Sequence, residues 1–292
     1  MQRIIEKASV LIEALPYIHA FRDKVVVVKY GGSAITEAAE TDSTLIDIVF
    51  MATVGIKPVL IHGGGKEISR RMKEAGIPAR FVNGLRVTDD TTMHIVEDVL
   101  YHCVNRDIVA AIESFGGKAR GLSAKEAGIM HVNKHLPIVE DPTTHTSQVV
   151  DIGYVGDVAW IDAHPINGLC EQDIVPVVAP IGLGPDGRSY NVNADIAAGE
   201  IAIALKAEKL VFLTDVEGIL RNGSLCSTVH VDEIEGMIND GTITGGMIPK
   251  VTACLRAVET GVRKIHIIDG RLLHSLLLEI YTDEGVGTQI VK

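Results

Sequence analysis

The chain has 292 residues, 47% of them hydrophobic but only 4% aromatic, and a formal net charge of −11. That length allows one large domain or two modest ones around a sizeable core. Val, Ile, Leu and Ala must fill the core, and with 29 glycines for tight turns they point to a parallel α/β protein. The acidic balance argues against a nucleic-acid surface. Four separated cysteines without a C-x-x-C argue against structural disulfides and a cysteine zinc site. No uncharged run reaches the roughly 18 residues of a membrane span. Glu6, Lys7 and Glu13 interrupt the first apolar run, unlike a secretory signal peptide, so a cytoplasmic location is expected.

Residues 2–20 place Ile4, Ile5, Ala8, Leu11, Ile12 and Leu15 at helical spacing, and Pro16 is expected to kink or end that helix. It lies outside the first strand, so it either packs on its own domain or serves as an oligomerisation arm. Residues 25–28 are four valines, the composition of a strand buried on both faces. The strand ends on Lys29 and turns at Gly31 and Gly32. A cation beside exposed backbone N–H groups is what an anion needs, phosphate above all. The bland alternative is a turn with a solvated lysine.

A helix is predicted over 41–54, a strand over 58–62, and an amphipathic helix near 66–75 after Gly63, Gly64 and Gly65. Strand, glycine turn and helix twice over is the grammar of a parallel sheet. Residues 83–88 read as a turn or hairpin containing Arg86. Thr88 or Asp89 caps a long helix to about Phe115. Residues 116–160 read as a β-hairpin excursion. His131 and His135 stand four apart there but lack the glutamate of a helical zinc motif. Buried strands follow at 173–179, 209–213 and 264–268, with helices near 194–205, 231–240 and 249–260. A boundary near 180 is plausible, but no linker tract marks it, so two lobes sharing one sheet are expected.

Gly182–Gly187 matches G-x-G-x-x-G, but its Pro-Asp-Gly turn and the extended segment after it do not open into the helix a dinucleotide site requires. No P-loop pattern occurs. Asn191, Asn193 and Asp195 stand at a helix start, where capping and a polar ligand site are both open readings. Asp215, Glu217 and Gly218 follow a buried strand on the ligand-binding edge of the sheet. Pro249 suits the first turn of a helix. Lys250 is then a cation where the helix dipole disfavours one, a conflict an anionic ligand would resolve. Two lysines, two glycine turns, one arginine and one acid suit phosphoryl transfer, which needs positioning and charge neutralisation. A carboxylate acceptor, already ionised at pH 7, would need no general base.

The segments VVVVKYGGSA, IHGGGKEIS, NGLRVTD, YNVNAD, LTDVEGIL and TGGMIPKV, in this order over essentially the whole chain, resemble the amino acid kinase family. The resemblance implies an α/β fold, a three-layer αβα sandwich with an open, mainly parallel central sheet in two lobes. It implies an oligomerisation helix over 1–20, an acyl-substrate and dimerisation lobe over 21–180, and an ATP lobe with a C-terminal arginine-site segment over 181–292. Within the family the pattern is similar to that of members that phosphorylate the side-chain carboxylate of N-acetyl-L-glutamate in arginine biosynthesis. The substrates implied are N-acetyl-L-glutamate and ATP, with Mg2+ bound through ATP rather than by a protein metal site.

Carried over by residue, Lys29 and Lys250 would stabilise the transferring phosphoryl group, Gly32 and Gly64 would donate N–H groups to it, and Asp195 would hold both lysines. Gly64, Gly65, Arg86 and Asn191 would bind the acyl substrate, with Arg86 on its α-carboxylate. Asp215, Gly218 and Lys250 would lie at the nucleotide. Tyr17, Lys209, His274, Glu279 and Gly285 match an inhibitory L-arginine site, found in members that assemble as hexamers, trimers of dimers. A plain C-terminal amphipathic helix is the alternative for 274–280. A sibling kinase acting on aspartate, glutamate or an aminoadipate derivative, and a non-catalytic arginine sensor, are the competing readings. Nothing in the sequence indicates a PII-type partner.

Overall fold

A computed structural model of the chain describes residues 2–31, 38–123, 127–140, 146–282 and 285–292. An eight-stranded sheet forms its centre, in the spatial order 228–230, 287–291, 264–269, 209–214, 25–30, 57–62, 175–178, 119–122. From Lys264–Asp269 across to Ala119–Leu122 every pairing is parallel. Gly287–Val291 runs antiparallel to Lys264–Asp269, and Thr228–His230 follows it at the edge.

The valine run forms the middle strand, β1 (Val25–Tyr30), and lies between β2 (Lys57–His62) and Lys209–Thr214. Its side chains alternate between two cores. Val27 joins one with Val59, Ile61, Ala198 and Phe212, while Val26, Val28 and Tyr30 join the other with Leu45, Leu60 and Leu100. Alternation into two helix-covered cores makes the molecule a three-layer αβα sandwich, and β-branched residues suit a strand buried on both faces. Fully burying one such valine contributes about 1.5–3 kcal/mol, which leaves Lys29 as the costly residue of the strand.

The helices are α1 (Gln2–Phe21), with Pro16 inside it, α2 (Ala38–Thr53) and α3 (Gly65–Glu74), then Asp90–Glu97 and further helices to Ser275–Tyr281. Pro16 therefore does not end the first helix. Asp89 caps Asp90–Glu97 by accepting from Thr92 N. The long helix to Ser114 is present, but its middle, Asp98–Asn105, winds as a π-helix, which composition did not foretell. The excursion over 116–160 is mostly a second sheet, 189–191, 181–183, 130–134, 156–161, whereas Ala119–Leu122 is an edge strand of the main sheet. Gly182–Gly187 lies in the hairpin between Ile181–Leu183 and Ser189–Asn191, not at a helix start. The main sheet is continuous across residue 180, since β1 pairs directly with Lys209–Thr214.

Candidate active site

The parallel strands bring their C-terminal ends to one edge, and the residues singled out by chemistry collect there. Lys29 comes from the end of β1. Asp195 comes from the first turn of Ala194–Ala204, where a carboxylate suits the helix dipole. Lys250 comes from the first turn of Met247–Glu259. That helix begins two residues earlier than expected, so Pro249 is its third residue and still lacks only an N–H that had no helical partner. Asn193 caps its helix by accepting from Asp195 N at 2.8 Å, so the capping reading holds for that residue.

Lys29 Nζ stands 3.0 Å from Asp195 Oδ1, and Lys250 Nζ donates to Asp195 Oδ2 at 3.0 Å. All three are buried, at 7–8% exposure. Burial pushes the Asp195 carboxyl upward, but the two ammonium groups outweigh it and hold the pKa below the ordinary value. Burial, opposed by Asp195 and reinforced by Lys29, lowers the pKa of Lys250. Two cations and one carboxylate leave a surplus positive charge in a desolvated place, which an incoming anion would neutralise. A Cβ on Gly31 would lie 2.5 Å from Lys29 Nζ, so glycine there leaves room for the ammonium to fold back over the turn.

Several cavities adjoin Lys29 or the glycine turn, a large one of about 670 Å3 against Lys29 and Gly63–Gly65 among them, and two smaller ones carry the residues singled out above. One of about 320 Å3 is walled by Lys29, Gly31, Thr214, Asp215, Thr244 and Lys250. The other, of about 180 Å3, is bounded by Gly63, Gly64, Gly65, Arg86, Asn191 and Ala194 among others. Arg86 is buried and donates to Gly65 O at 3.0 Å and Ser69 Oγ at 2.8 Å, with Phe81 stacked against its guanidinium at 4.8 Å. Among the described residues no carboxylate pairs with it, and burial lowers its pKa. Asn191 Nδ2 reaches Thr88 Oγ1 at 3.3 Å. Gly64 and Gly65 stand at the start of α3, whose first N–H groups favour an anion. Gly32 lies outside the described residues.

Asp215 is exposed on the wall of the larger of these two cavities. Gly218 does not line it. Its φ is +150°, and a Cβ would press on Thr288 Oγ1 and Leu225, so its glycine is demanded by packing. Among the described residues no group of three His, Cys, Asp or Glu is placed to hold a metal ion. His131 instead stacks on Trp160 at 3.7 Å, and His135 contacts Asp157.

A family model described as the amino acid kinase family matches residues 24–269. The chain belongs to the amino acid kinase family. Proteins named acetylglutamate kinase from Heliobacterium modesticaldum and Thermoanaerobacter pseudethanolicus are 49% and 51% identical to this kinase. The first alignment covers 100% of both chains, and the second 99% of this chain and 94% of the relative. The N-acetylglutamate synthase of Neisseria gonorrhoeae, solved with coenzyme A and N-acetyl-glutamate, superposes with a TM-score of 0.82 at 25% identity. That match covers 98% of this kinase and 63% of the synthase chain. The carbamate kinase of Giardia lamblia bound to AMP-PNP, at TM-score 0.64 and 16% identity, shares the fold, over 92% of this kinase and 98% of that chain.

The residues matched to an arginine site gather around Ser275–Tyr281. Lys209 Nζ donates to Glu279 Oε1 at 2.8 Å and Glu279 O at 3.0 Å, and Val286 N donates to Oε2. Gly285, at φ +63°, sits so close that a Cβ would be 3.1 Å from Glu279 Oε2. Tyr17 meets Tyr281 edge-on at 6.4 Å. His274 is at the other end of that helix, bonded to Asp47 Oδ1 at 2.6 Å and Ser43. Glu279 is thus already engaged by Lys209. His62 and Asn105, both buried at the glycine turn, have no role visible in the sequence alone. The one signal was a histidine at the end of a buried strand directly before three glycines.

Proposed function

We propose that this kinase transfers the γ-phosphoryl group of ATP to the side-chain carboxylate of N-acetyl-L-glutamate, giving N-acetyl-L-glutamyl 5-phosphate and ADP in arginine biosynthesis. The observation that carries the reading is two buried lysines sharing one carboxylate beside cavities of two kinds, one with an unpaired arginine. A carboxylate oxygen of the acceptor forms the new P–O bond as the bond to ADP breaks. Lys29 and Lys250 meet the charge spread over the transferring group, and Asp195 keeps both ammonium groups in place. Gly64 and Gly32 donate backbone N–H groups to that charge. Arg86 takes the α-carboxylate of the acceptor, whose binding supplies the counter-charge it lacks, and Asn191 with Gly65 holds its polar groups. Asp215 borders the nucleotide, with Gly218 shaping its loop from behind. Magnesium, when bound with the nucleotide, would supply further charge neutralisation beside Lys29 and Lys250.

The lobe division near 180 follows the same assignment, with Gly64, Gly65 and Arg86 of the acceptor site before it and the nucleotide residues Asp215, Gly218 and Lys250 after it, while Asn191 reaches back to the acceptor from just beyond it. Inhibition by L-arginine at Tyr17, Lys209, His274, Glu279 and Gly285, and assembly into a hexamer through α1, complete the proposal, together with a cytoplasmic location. Support for the arm is that Ile12 and Leu15 on α1 are exposed. A coupled assay of ADP release across N-acetyl-L-glutamate, glutamate, aspartate and aminoadipate tests the reading. Turnover with the acetylated acid is expected, and turnover confined to an unacetylated acid overturns it.

A further inference from the structure

His62 is wholly buried at the end of β2 and lines neither cavity that the glycine turn borders. Its Nδ1 stands 2.8 Å from Gly63 O, and its Nε2 stands 3.0 Å from Asn105 Nδ2. A carbonyl oxygen can only accept, so Nδ1 carries the proton. Asn105 Nδ2 also donates to Val177 O at 2.9 Å, so the amide nitrogen faces the ring and Nε2 is the acceptor. The three contacts from Val177 O through Asn105 Nδ2 and His62 to Gly63 O assign donor and acceptor consistently, which specifies a single tautomer. Burial pushes the ring pKa down to about 4, so the imidazole is neutral at pH 7.

Gly63 and Gly64 share a trans peptide plane, in which C=O and N–H point in opposite directions. Fixing the Gly63 carbonyl toward His62 therefore fixes the Gly64 N–H away from it. Among the described residues no acceptor is bonded to that N–H, and Gly64 lines the acceptor cavity. The π-helical stretch carries both supports of the turn. Leu100 fills the space where a Gly64 Cβ would fall, at 2.5 Å, and Asn105 reaches His62. Gly121, opposite, has no Cβ to collide with the Asn105 amide. A widened turn of this kind re-aims side chains without breaking the helix, which gives this one a task.

We propose that His62 and Asn105 are positioning residues that lock the Gly63–Gly64 peptide so that the Gly64 N–H faces the transferring phosphoryl group. The inference rests on the function proposed above and deepens it. With the ring removed, glycine on both sides of the peptide leaves little to oppose a flip, and a flipped peptide presents a carbonyl to an anion. Losing one preorganised donor of this kind lowers turnover by about 10²- to 10³-fold.

The test compares His62→Leu and His62→Asn in the full chain. The Asn side-chain amide can donate where Nδ1 did, and Leu cannot. His62→Leu should lower kcat about 10²-fold with the KM for N-acetyl-L-glutamate changed by less than about threefold, and His62→Asn should regain at least about tenfold of that loss. Thermal unfolding of both variants separates positioning from simple destabilisation. An unchanged kcat in His62→Leu, or equal losses in Leu and Asn, overturns the proposal. Nitrogen-15 NMR of the wild-type ring at pH 7 reads the tautomer without any turnover. A protonated Nδ1 is expected, and a protonated Nε2 overturns the inference even if the kinase reading stands. Absence of acetylglutamate-dependent turnover in the wild type would instead count against the kinase reading.

Discussion

Two buried lysine–carboxylate clusters lie on neighbouring strands of one sheet, and they differ in charge. At one, Lys29 and Lys250 share Asp195 and leave a positive charge unmatched beside open cavities. At the other, Lys209 meets Glu279 one to one, at 3–4% side-chain exposure. Lys209 also donates to the Glu279 carbonyl, Val286 N donates to the other carboxylate oxygen of Glu279, and His266 Nε2 stands 3.0 Å from that carboxylate. The first cluster is incomplete without an anion, and the second is balanced by its own backbone. A buried pair by itself is therefore weak evidence of a site, and surplus charge facing a cavity is the stronger sign.

Breaking the balanced cluster should cost stability most. Glu279→Ala leaves Lys209 buried without its counter-ion and should destabilise folding by about 3–5 kcal/mol, while turnover per folded molecule is retained. Urea unfolding with an active-site titration checks both halves. Breaking the surplus cluster should do the reverse. Lys250→Ala leaves Lys29 and Asp195 as a neutral pair, so stability should hold while kcat falls by about 10²- to 10³-fold, with a modest effect on acceptor binding. An unchanged kcat removes Lys250 from the chemistry.

A further contrast is in pH. Burial first, then Lys209 and Lys264, lowers the His266 pKa to about 3, and burial lowers that of His62 to about 4. Below pH 6.5 the unfolded chain takes up these protons before the folded one. Stability should therefore fall as pH drops from about 6.5 toward those values, by about 1.4 kcal/mol per pH unit for each ring. Urea midpoints at pH 7 and 5 measure it, and His266→Leu should remove about half of the slope.

Much of this was legible because short-range chemistry announces it. Four β-branched residues before a lysine and glycines specify a central strand and its turn. A lysine at a helix N-terminus is a conflict visible in the letters alone. Chain order gave no reason to join Lys29 to Asp195, 166 residues away, or to Lys250; the sheet topology does that. The edge strand Ala119–Leu122 was obscured because it is short and carries Arg120 and Gly121. The π-helix was not legible because its eight residues keep an ordinary helical composition, and the contact that Asn105 makes from its end is a tertiary one, to His62. At Gly218 the letters alone do not separate a packing glycine from a ligand-binding one, and the structure adds the packing demand of Thr288 and Leu225.

The central claim is that the surplus charge of Lys29, Asp195 and Lys250 serves the phosphoryl group in transfer. Calorimetric binding of ADP, magnesium and a metal-fluoride mimic of that group, with N-acetyl-L-glutamate present, tests it most directly. The account predicts that the mimic tightens ADP binding by at least about 10²-fold in the wild type, and that Lys250→Ala abolishes the gain. An equal gain in both proteins would contradict it.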